Sequence, residues 1–387
     1  MNYRPFGKLD WNVSALGFGC MRLPLTGPGV PSSQIDEPLA ISMIRRAIDG
    51  GVNYVDTAYG YHDGRSEVVA GLALKNGYRD KVKIATKSPV WMIKEPADFD
   101  KLLDEQRKRL GVDHIDFYLL HALGADRWRN TILPCNVLEK AEAARRDGRI
   151  GHIGFSFHDD FKAFTEILTG YDKWEFCQLQ YNYMDTENQA GVAGLKMAAE
   201  KGLAIVVMEP LLGGKLAAPP AAIRSIMNDL PSLKSPADLA LQWIWDQDEV
   251  STVLSGMSTP EQVEGNLESA ARSRVGSIGA AERALIEKVQ AAYNARIVVP
   301  CTSCGYCMPC PSGVDIPGNF RIFNYAHLHE DVDGARNHFS WGMKKEARPE
   351  NCAACHDCED KCPQKIAISD WMPKLDAVLA KGQPLSL

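Results

Sequence analysis

At 387 residues, with 45% hydrophobic and 24% charged residues, the chain can bury a real core and suits one large barrel plus a small module, or two to three ordinary domains. Its 43 Lys+Arg against 49 Asp+Glu give a net charge of -6 with no basic block, so neither nucleic acid nor an anionic membrane surface is an expected partner, and small molecules or proteins are. The start, Met1 to Lys8, has no apolar signal region and nowhere is there a run of eighteen apolar residues, which predicts a soluble, cytoplasmic protein without a membrane partner.

After a hairpin-like N-terminus, Leu16-Gly-Phe-Gly19 reads as a buried strand, and Leu39 to Asp49 repeats apolar residues at helical spacing before Gly50-Gly51 stops it. The strand-then-helix unit recurs. Tyr54 to Asp56 pairs with Ser66 to Leu74, Val82 to Lys87 with Asp98 to Leu110, and Ile115 to Leu120 with Leu138 to Asp147. Ile150 to Phe155 precedes Phe161 to Thr169, Phe176 to Leu179 precedes Val192 to Lys201, Ala204 to Met208 precedes Pro236 to Asp246, and Val250 to Leu254 precedes Pro260 to Ala271. Eight such units with Val-, Ile- and Leu-rich strands predict an α/β fold, a parallel sheet closed as a (β/α)8 barrel. A doubly wound open sheet is the alternative, disfavoured because no Gly-x-Gly-x-x-Gly follows the first strand. The expected division is a barrel over 1–275, a connecting helix over 276–297 and a small, mostly helical module over 298–387.

In such a barrel, chemistry sits on the loops after the strand C-termini. Here those ends read Gly19, Asp56, Lys87, His121, Ser156, Gln178, Glu209 and Ser255. Tyr61 follows Asp56 by five residues. A tyrosine with a pKa of about 10 is a poor proton donor near neutrality, but a lysine ammonium beside it favours the phenolate and a carboxylate holds the lysine charged. A histidine on the neighbouring strand can donate to a carbonyl oxygen. The set fits polarising and protonating a C=O while something else supplies hydride, and with no nucleophile elbow it does not fit acyl transfer.

Asp56-Thr-Ala-x-x-Tyr61, Thr86-Lys87 and Ile115-Asp-Phe-Tyr-Leu-Leu-His121, in that order and spacing, resemble the aldo-keto reductase family over roughly Tyr3 to Ala271. The resemblance implies an oxidoreductase interconverting a carbonyl and an alcohol, with Tyr61 as general acid/base, Lys87 and Asp56 as its tuners and His121 orienting the carbonyl. It implies a nicotinamide dinucleotide held by Gly19, Cys20 and Met21, by Ser156 and Gln178 around the carboxamide, by Met208 and Leu211 near the ring, and by Ser255, Gly256, Gln262 and Asn266 around the adenosine. Three departures stand out: Phe157 follows Ser156 where the family usually has Asn, Met208 replaces the ring-stacking aromatic, and Gly256 and Gln262 stand where basic residues grip a 2′-phosphate. Lost bidentate contacts weaken NADP specifically, so the choice between NAD and NADP stays open. Trp91 and His158 are expected to line the substrate pocket; the substrate itself is not named by the sequence.

Of eleven cysteines, Cys20, Cys135 and Cys177 are scattered and eight lie in two runs, Cys301-x2-Cys304-x2-Cys307-x2-Cys310-Pro and Cys352-x2-Cys355-x2-Cys358-x3-Cys362-Pro. The second run is the bacterial ferredoxin pattern, in which three close thiolates hold one cubane and the fourth reaches across to the other. Zinc normally uses separated pairs. Two [4Fe-4S] clusters are expected, and the ferredoxin analogy assigns Cys301, Cys304, Cys307 and Cys362 to one and Cys352, Cys355, Cys358 and Cys310 to the other. The first run is one residue short, which makes a single cluster the fallback. Barrel followed by ferredoxin module resembles an iron-sulfur branch of the same family, with the clusters either a relay to a protein electron carrier or structural. An electron-transfer module on an idle barrel is the competing function. Between the runs, Phe320, Phe323, Tyr325, Phe339 and Trp341 are expected to build a small helical core, and Lys344-Lys345 a solvated face.

Overall fold

In the computed structural model, which describes residues 1–230 and 234–385, the chain opens with an antiparallel hairpin of β1 (Tyr3–Phe6) and β2 (Leu9–Ser14). A closed parallel barrel follows, built from β3 (Leu16–Gly19), β4 (Tyr54–Asp56), β5 (Lys83–Ser88), β6 (Ile115–Leu123), β7 (Ile150–Phe157), β8 (Phe176–Gln180), β9 (Ala204–Met208) and β10 (Thr252–Ser255), the last pairing back onto β3. The expected (β/α)8 barrel is therefore the fold. Its strands are apolar on both faces because helices cover the outside and side chains fill the inside.

The hairpin stoppers the N-terminal end. Phe6 reaches into the barrel, its ring 4.7 Å from Phe117, which in turn sits 5.2 Å from Phe176. That end of the interior is filled by aromatic rings, and the buried Asp56–Lys87 pair lies at the opposite end, where the strands finish. The helices start on ordinary signals: Asp36 caps Glu37–Asp49, Asp160 caps Phe161–Gly170, and Thr259 caps Pro260–Ala270 with Pro in the first turn.

By contacts the chain separates into two units, Met1–Ala217 with Ser232–Ala280, and Ala218–Pro231 with Ala281–Leu387. The helix Ala221–Met227, which the sequence pattern did not indicate, belongs to the second. So does nearly all of Ala280–Asn294, which falls inside the stretch read as a connecting helix. The second unit has its own core, in which Phe320 and Phe323 from helix Ile316–His329 and Phe339 from helix Val332–Gly342 meet Met372 and Leu375 from helix Ile368–Leu379. Tyr325 packs against that core, but Trp341 does not: it is 91% exposed. Two residues beyond Phe339 is about 200° around a helix, so burying one ring turns the other outward. Among the described residues no helix is long and apolar enough to cross a membrane.

Candidate active site and cysteine cavities

Asp56 ends β4 level with Gly19 of β3 and Ala85 of β5. Lys87, two residues farther along β5, reaches back to it: Nζ donates to Asp56 Oδ1 at 2.6 Å, to the Thr57 carbonyl at 2.8 Å and to the Tyr61 hydroxyl at 3.3 Å. Both charged groups are buried, and Asp56 Oδ2 has no hydrogen-bond partner, so Lys87 alone compensates the carboxylate. The ammonium also lies 4.8 Å from the centre of the Tyr61 ring. His121 stands on β6, its ring 6.0 Å from that of Tyr61 and nearly perpendicular to it. The strand does not end there as the sequence suggests. It runs to Leu123 through a register shift, with Ala122 in the left-handed region at φ 51°, and such a bulge re-aims the neighbouring side chain.

The loop carrying Tyr61 is pinned from both sides. His62, Asp63 and Gly64 are successively left-handed and turn the chain sharply. His62 Nε2 accepts from the Leu23 amide at 3.2 Å, so its Nδ1 carries the proton donated to the Ser32 carbonyl at 2.6 Å. Opposite, Arg109 donates to the Tyr59 carbonyl at 3.1 Å and to Glu67 at 3.4 Å. Buried Glu67 accepts from Thr86 and from Gln106, each at 2.7 Å, and Gln106 also donates to the Lys87 carbonyl at 3.0 Å. One carboxylate thus ties the Tyr61 loop to the Lys87 backbone.

Burial pushes the Tyr61 phenol above its ordinary value; Lys87 pulls it down, but by less. The sequence-based expectation of a net lowering is corrected, because desolvation of a phenolate here outweighs one neighbouring cation. For Lys87, burial works against the charge, yet Asp56 and Tyr61 together raise it, so it is an ammonium. His121 is pushed down to about 2, by burial first and then by Lys87, and is neutral. Cys20 is a buried thiol, raised by burial and then by Asp56; its side chain offers nothing to a ligand at the rim, whereas Met21 is exposed.

Farther round the rim, buried Ser156 accepts the Ala122 amide at 2.7 Å, which leaves its hydroxyl proton free to donate. Gln178 donates to Met208 Sδ at 3.5 Å, while its Oε1 is buried without a partner. An orphaned amide oxygen beside a free hydroxyl proton matches the donor and acceptor of a carboxamide. Leu211 lies in the turn after β9, its carbonyl accepting from Gly214 at 2.9 Å. Beyond β10, Asn266 donates to Ser255 at 2.9 Å, and the Gln262 side chain is occupied in accepting the Ser258 amide at 2.8 Å. Gly256 has no side chain, but Arg22 covers it: a Cβ there would meet the Arg22 Cβ, Cγ and Cδ at 3.2 to 3.4 Å, and the guanidinium continues to 3.2 Å from the same point on Gly213. Arg22 was not singled out in the sequence, although it directly follows Met21; nor were Glu67, Gln106, Arg109 and Arg127, whose contacts cross between strands and helices.

In the second unit the eight clustered thiols line two cavities. One is bordered by Cys301, Cys304, Cys307 and Cys362. The other is bordered by Cys310, Cys352, Cys355 and Cys358 and also by Cys307, which lines both. The two runs also repeat in backbone. Ser303 and Gly305 are left-handed, as are Ala354 and His356 at equivalent places, and Gly313 and Lys365 each follow the fourth cysteine by three residues with positive φ. A helix begins six residues after that cysteine in both, at Ile316 and at Ile368. The residue missing from the first run therefore leaves both ends of the repeat in register. Among the described residues no three His, Cys, Asp or Glu side chains converge as on a single metal ion; the thiols surround cavities instead.

A model of the aldo/keto reductase family matches residues 15–275, and a model of the 4Fe-4S dicluster domain matches residues 300–367. The chain belongs to the aldo/keto reductase family and is an oxidoreductase with a C-terminal ferredoxin-type 4Fe-4S domain. It is 26% identical to an NADH-specific methylglyoxal reductase of Escherichia coli, over 68% of this chain and 91% of that one. It is also 26% identical to aldo-keto reductase YhdN of Bacillus subtilis, over 68% and 87%. The holo form of aldo-keto reductase AKR11C1 from Bacillus halodurans superposes with a TM-score of 0.61 at 26% identity, covering 75% of this chain and 96% of that one.

Because Lys87 is, among the described residues, the sole counter-charge of a buried carboxylate, Lys87→Met is expected to lower unfolding free energy by about 3–5 kcal/mol. Adding Asp56→Asn should recover a large part of that loss in urea unfolding. Additive losses would show that the pair does not interact.

Proposed function

We propose that the barrel reduces a carbonyl compound to an alcohol, or runs the reverse reaction, with Tyr61 as the general acid/base. The observation that carries this reading is the hydrogen bond from buried Lys87 to the Tyr61 hydroxyl. Tyr61, raised by burial, holds its proton at neutral pH and gives it to the carbonyl oxygen as charge develops there. Lys87 then bears on the resulting phenolate, which it stabilises more than the phenol. Asp56 keeps Lys87 charged and aimed. Neutral His121 uses a ring N–H to orient the carbonyl oxygen between itself and Tyr61.

A nicotinamide dinucleotide, when bound, supplies the hydride. Gln178 Oε1 and the Ser156 hydroxyl are the groups to hold its carboxamide, with Gly19 and Met21 beside the ring, Met208 and Leu211 under it, and Ser255 and Asn266 toward the adenosine. Arg22 is placed over Gly256 to face the diphosphate. With Gly256 bare and Gln262 engaged at Ser258, no cation among the described residues is dedicated to a 2′-phosphate, and we read the site as one for NADH. The similarity to a reductase named as NADH-specific agrees.

In the second unit, Cys301, Cys304, Cys307 and Cys362 would hold one [4Fe-4S] cluster and Cys310, Cys352, Cys355 and Cys358 another. The clusters, when present, supply one-electron steps. Cys304 and Cys355, one thiol from each set, are exposed, which favours a relay to a protein electron carrier over a purely structural role. The protein is then expected to hold roughly eight irons after anaerobic reconstitution, and Cys355→Ala roughly four, by iron assay and EPR. Unchanged iron in the variant would remove Cys355 from the ligand set.

Tyr61→Phe is expected to lose about 10²- to 10⁴-fold in kcat for aldehyde reduction. Its affinity for NADH, read by nicotinamide fluorescence, should be retained and exceed that for NADPH. Full activity in the variant would eliminate Tyr61 as the acid.

A further inference from the structure

Beside the proposed carbonyl site lies a positive charge that the reduction itself does not use. Arg127 follows β6 in the short turn Ala125–Arg127. Its Nη1 donates to the carbonyl of Ala122, the residue after His121, at 2.6 Å. Its guanidinium carbon lies 5.4 Å from the centre of the Trp91 ring, and that ring is 5.1 Å from the His121 imidazole. Arginine and histidine therefore border one indole on the same side of the barrel mouth.

Several half-buried arginines of the first unit sit against carboxylates, among them Arg79 with Asp116, Arg109 with Glu105 and Glu67, Arg149 with Asp100 and Arg272 with Asp238, whereas Arg45, like Arg127, donates to backbone carbonyls. Among the described residues Arg127 has no carboxylate within ion-pair reach. Of the acids near it, Asp126, next to it in sequence, accepts from Asn130 at 2.8 Å, and Asp159, brought close in space, accepts from the Ala125 and Asp160 amides at 2.9 and 2.8 Å. Of the remaining charges, Lys87 is neutralised by Asp56, and His121 and His158 are both held neutral by burial. Glu209, which bears on Tyr61, follows β9, three strands round the barrel from β6. The mouth beside His121 is thus bounded by a guanidinium without an ion-pair partner among the described residues, two neutral imidazoles and an indole.

A guanidinium has five N–H donors in a planar fork, and here one is spent on Ala122. The rest match the two oxygens of a carboxylate. We propose that the substrate is a carbonyl compound bearing a carboxylate, whose anionic end Arg127 grips while its C=O lies between Tyr61 and His121. This rests on the carbonyl-reducing reading of the same site, and it makes Arg127 the determinant of substrate charge.

The test uses 4-carboxybenzaldehyde and 4-nitrobenzaldehyde, alike in size and different in charge. The wild-type holoenzyme is expected to favour the carboxylate by about tenfold or more in kcat/KM, the worth of a charge-assisted hydrogen bond. In Arg127→Gln the ratio should fall to near unity, with the loss in KM for the carboxylate substrate, and Arg127→Lys should recover part of it. Calorimetric titration with 4-carboxybenzyl and 4-nitrobenzyl alcohol reads the same preference without turnover. If neither aldehyde is reduced but the carboxylate alcohol binds tighter and Arg127→Gln loses that margin, the substrate assignment stands and the catalytic reading fails. No preference in the wild type, by rate or by binding, overturns the assignment. So does a preference that survives in Arg127→Gln, or an equal loss for both substrates, which would make Arg127 a clamp on the Ala122 carbonyl only.

Discussion

Two opposite charges buried side by side at the end of a barrel are the constraint on which the rest of this site depends. Lys87 and Asp56 are each costly to bury alone, and among the described residues neither forms another ion pair. Keeping them together requires β4 and β5 in fixed register, and the structure supplies this from behind: Glu67, Gln106 and Arg109 bind the Lys87 carbonyl and the Tyr61 loop into one buried network. The phenol is the group that benefits. It stays protonated because it is buried, yet it faces an ammonium that would stabilise the charge acquired on giving up a proton, and that asymmetry suits the general-acid role proposed for it.

The rim around that pair divides by charge. On the side of His121 lie Arg127, Trp91 and His158; on the other, Glu209 and Arg22 approach the same glycine, Gly213, within 3.9 and 3.2 Å of where its Cβ would stand. A basic residue is absent at 256, but a guanidinium arriving from a different strand end fills the space.

How much of this was legible beforehand follows from the range of each interaction. The strand-helix alternation and the spacing from Asp56 to Tyr61 are local, and they sufficed for the barrel and for the group around Lys87. The cysteine runs are local too, and the repeat of left-handed residues around them follows their spacing. What could not be read was set by contacts between distant segments. Nothing in the sequence near Arg22 points to Gly256, and nothing near Arg127 points to Trp91. The direction of the Tyr61 shift was missed for a related reason, since a list of neighbouring charges carries no measure of burial. Composition alone places Trp341 in the core, whereas helix phase turns it outward.

The chain carries both a barrel proposed to bind a nicotinamide and a ferredoxin-type module, and in the proposed reaction hydride passes directly from the nicotinamide to the substrate. The most direct measurement is an anaerobic reduction with NADH deuterated at the transferred C4 position, in ordinary water, followed by mass spectrometry of the alcohol. Direct transfer predicts one deuterium on the carbinol carbon, with the hydroxyl proton from Tyr61 and solvent. An alcohol carrying no deuterium, formed at the same rate, would place the electron path through the clusters and contradict the account.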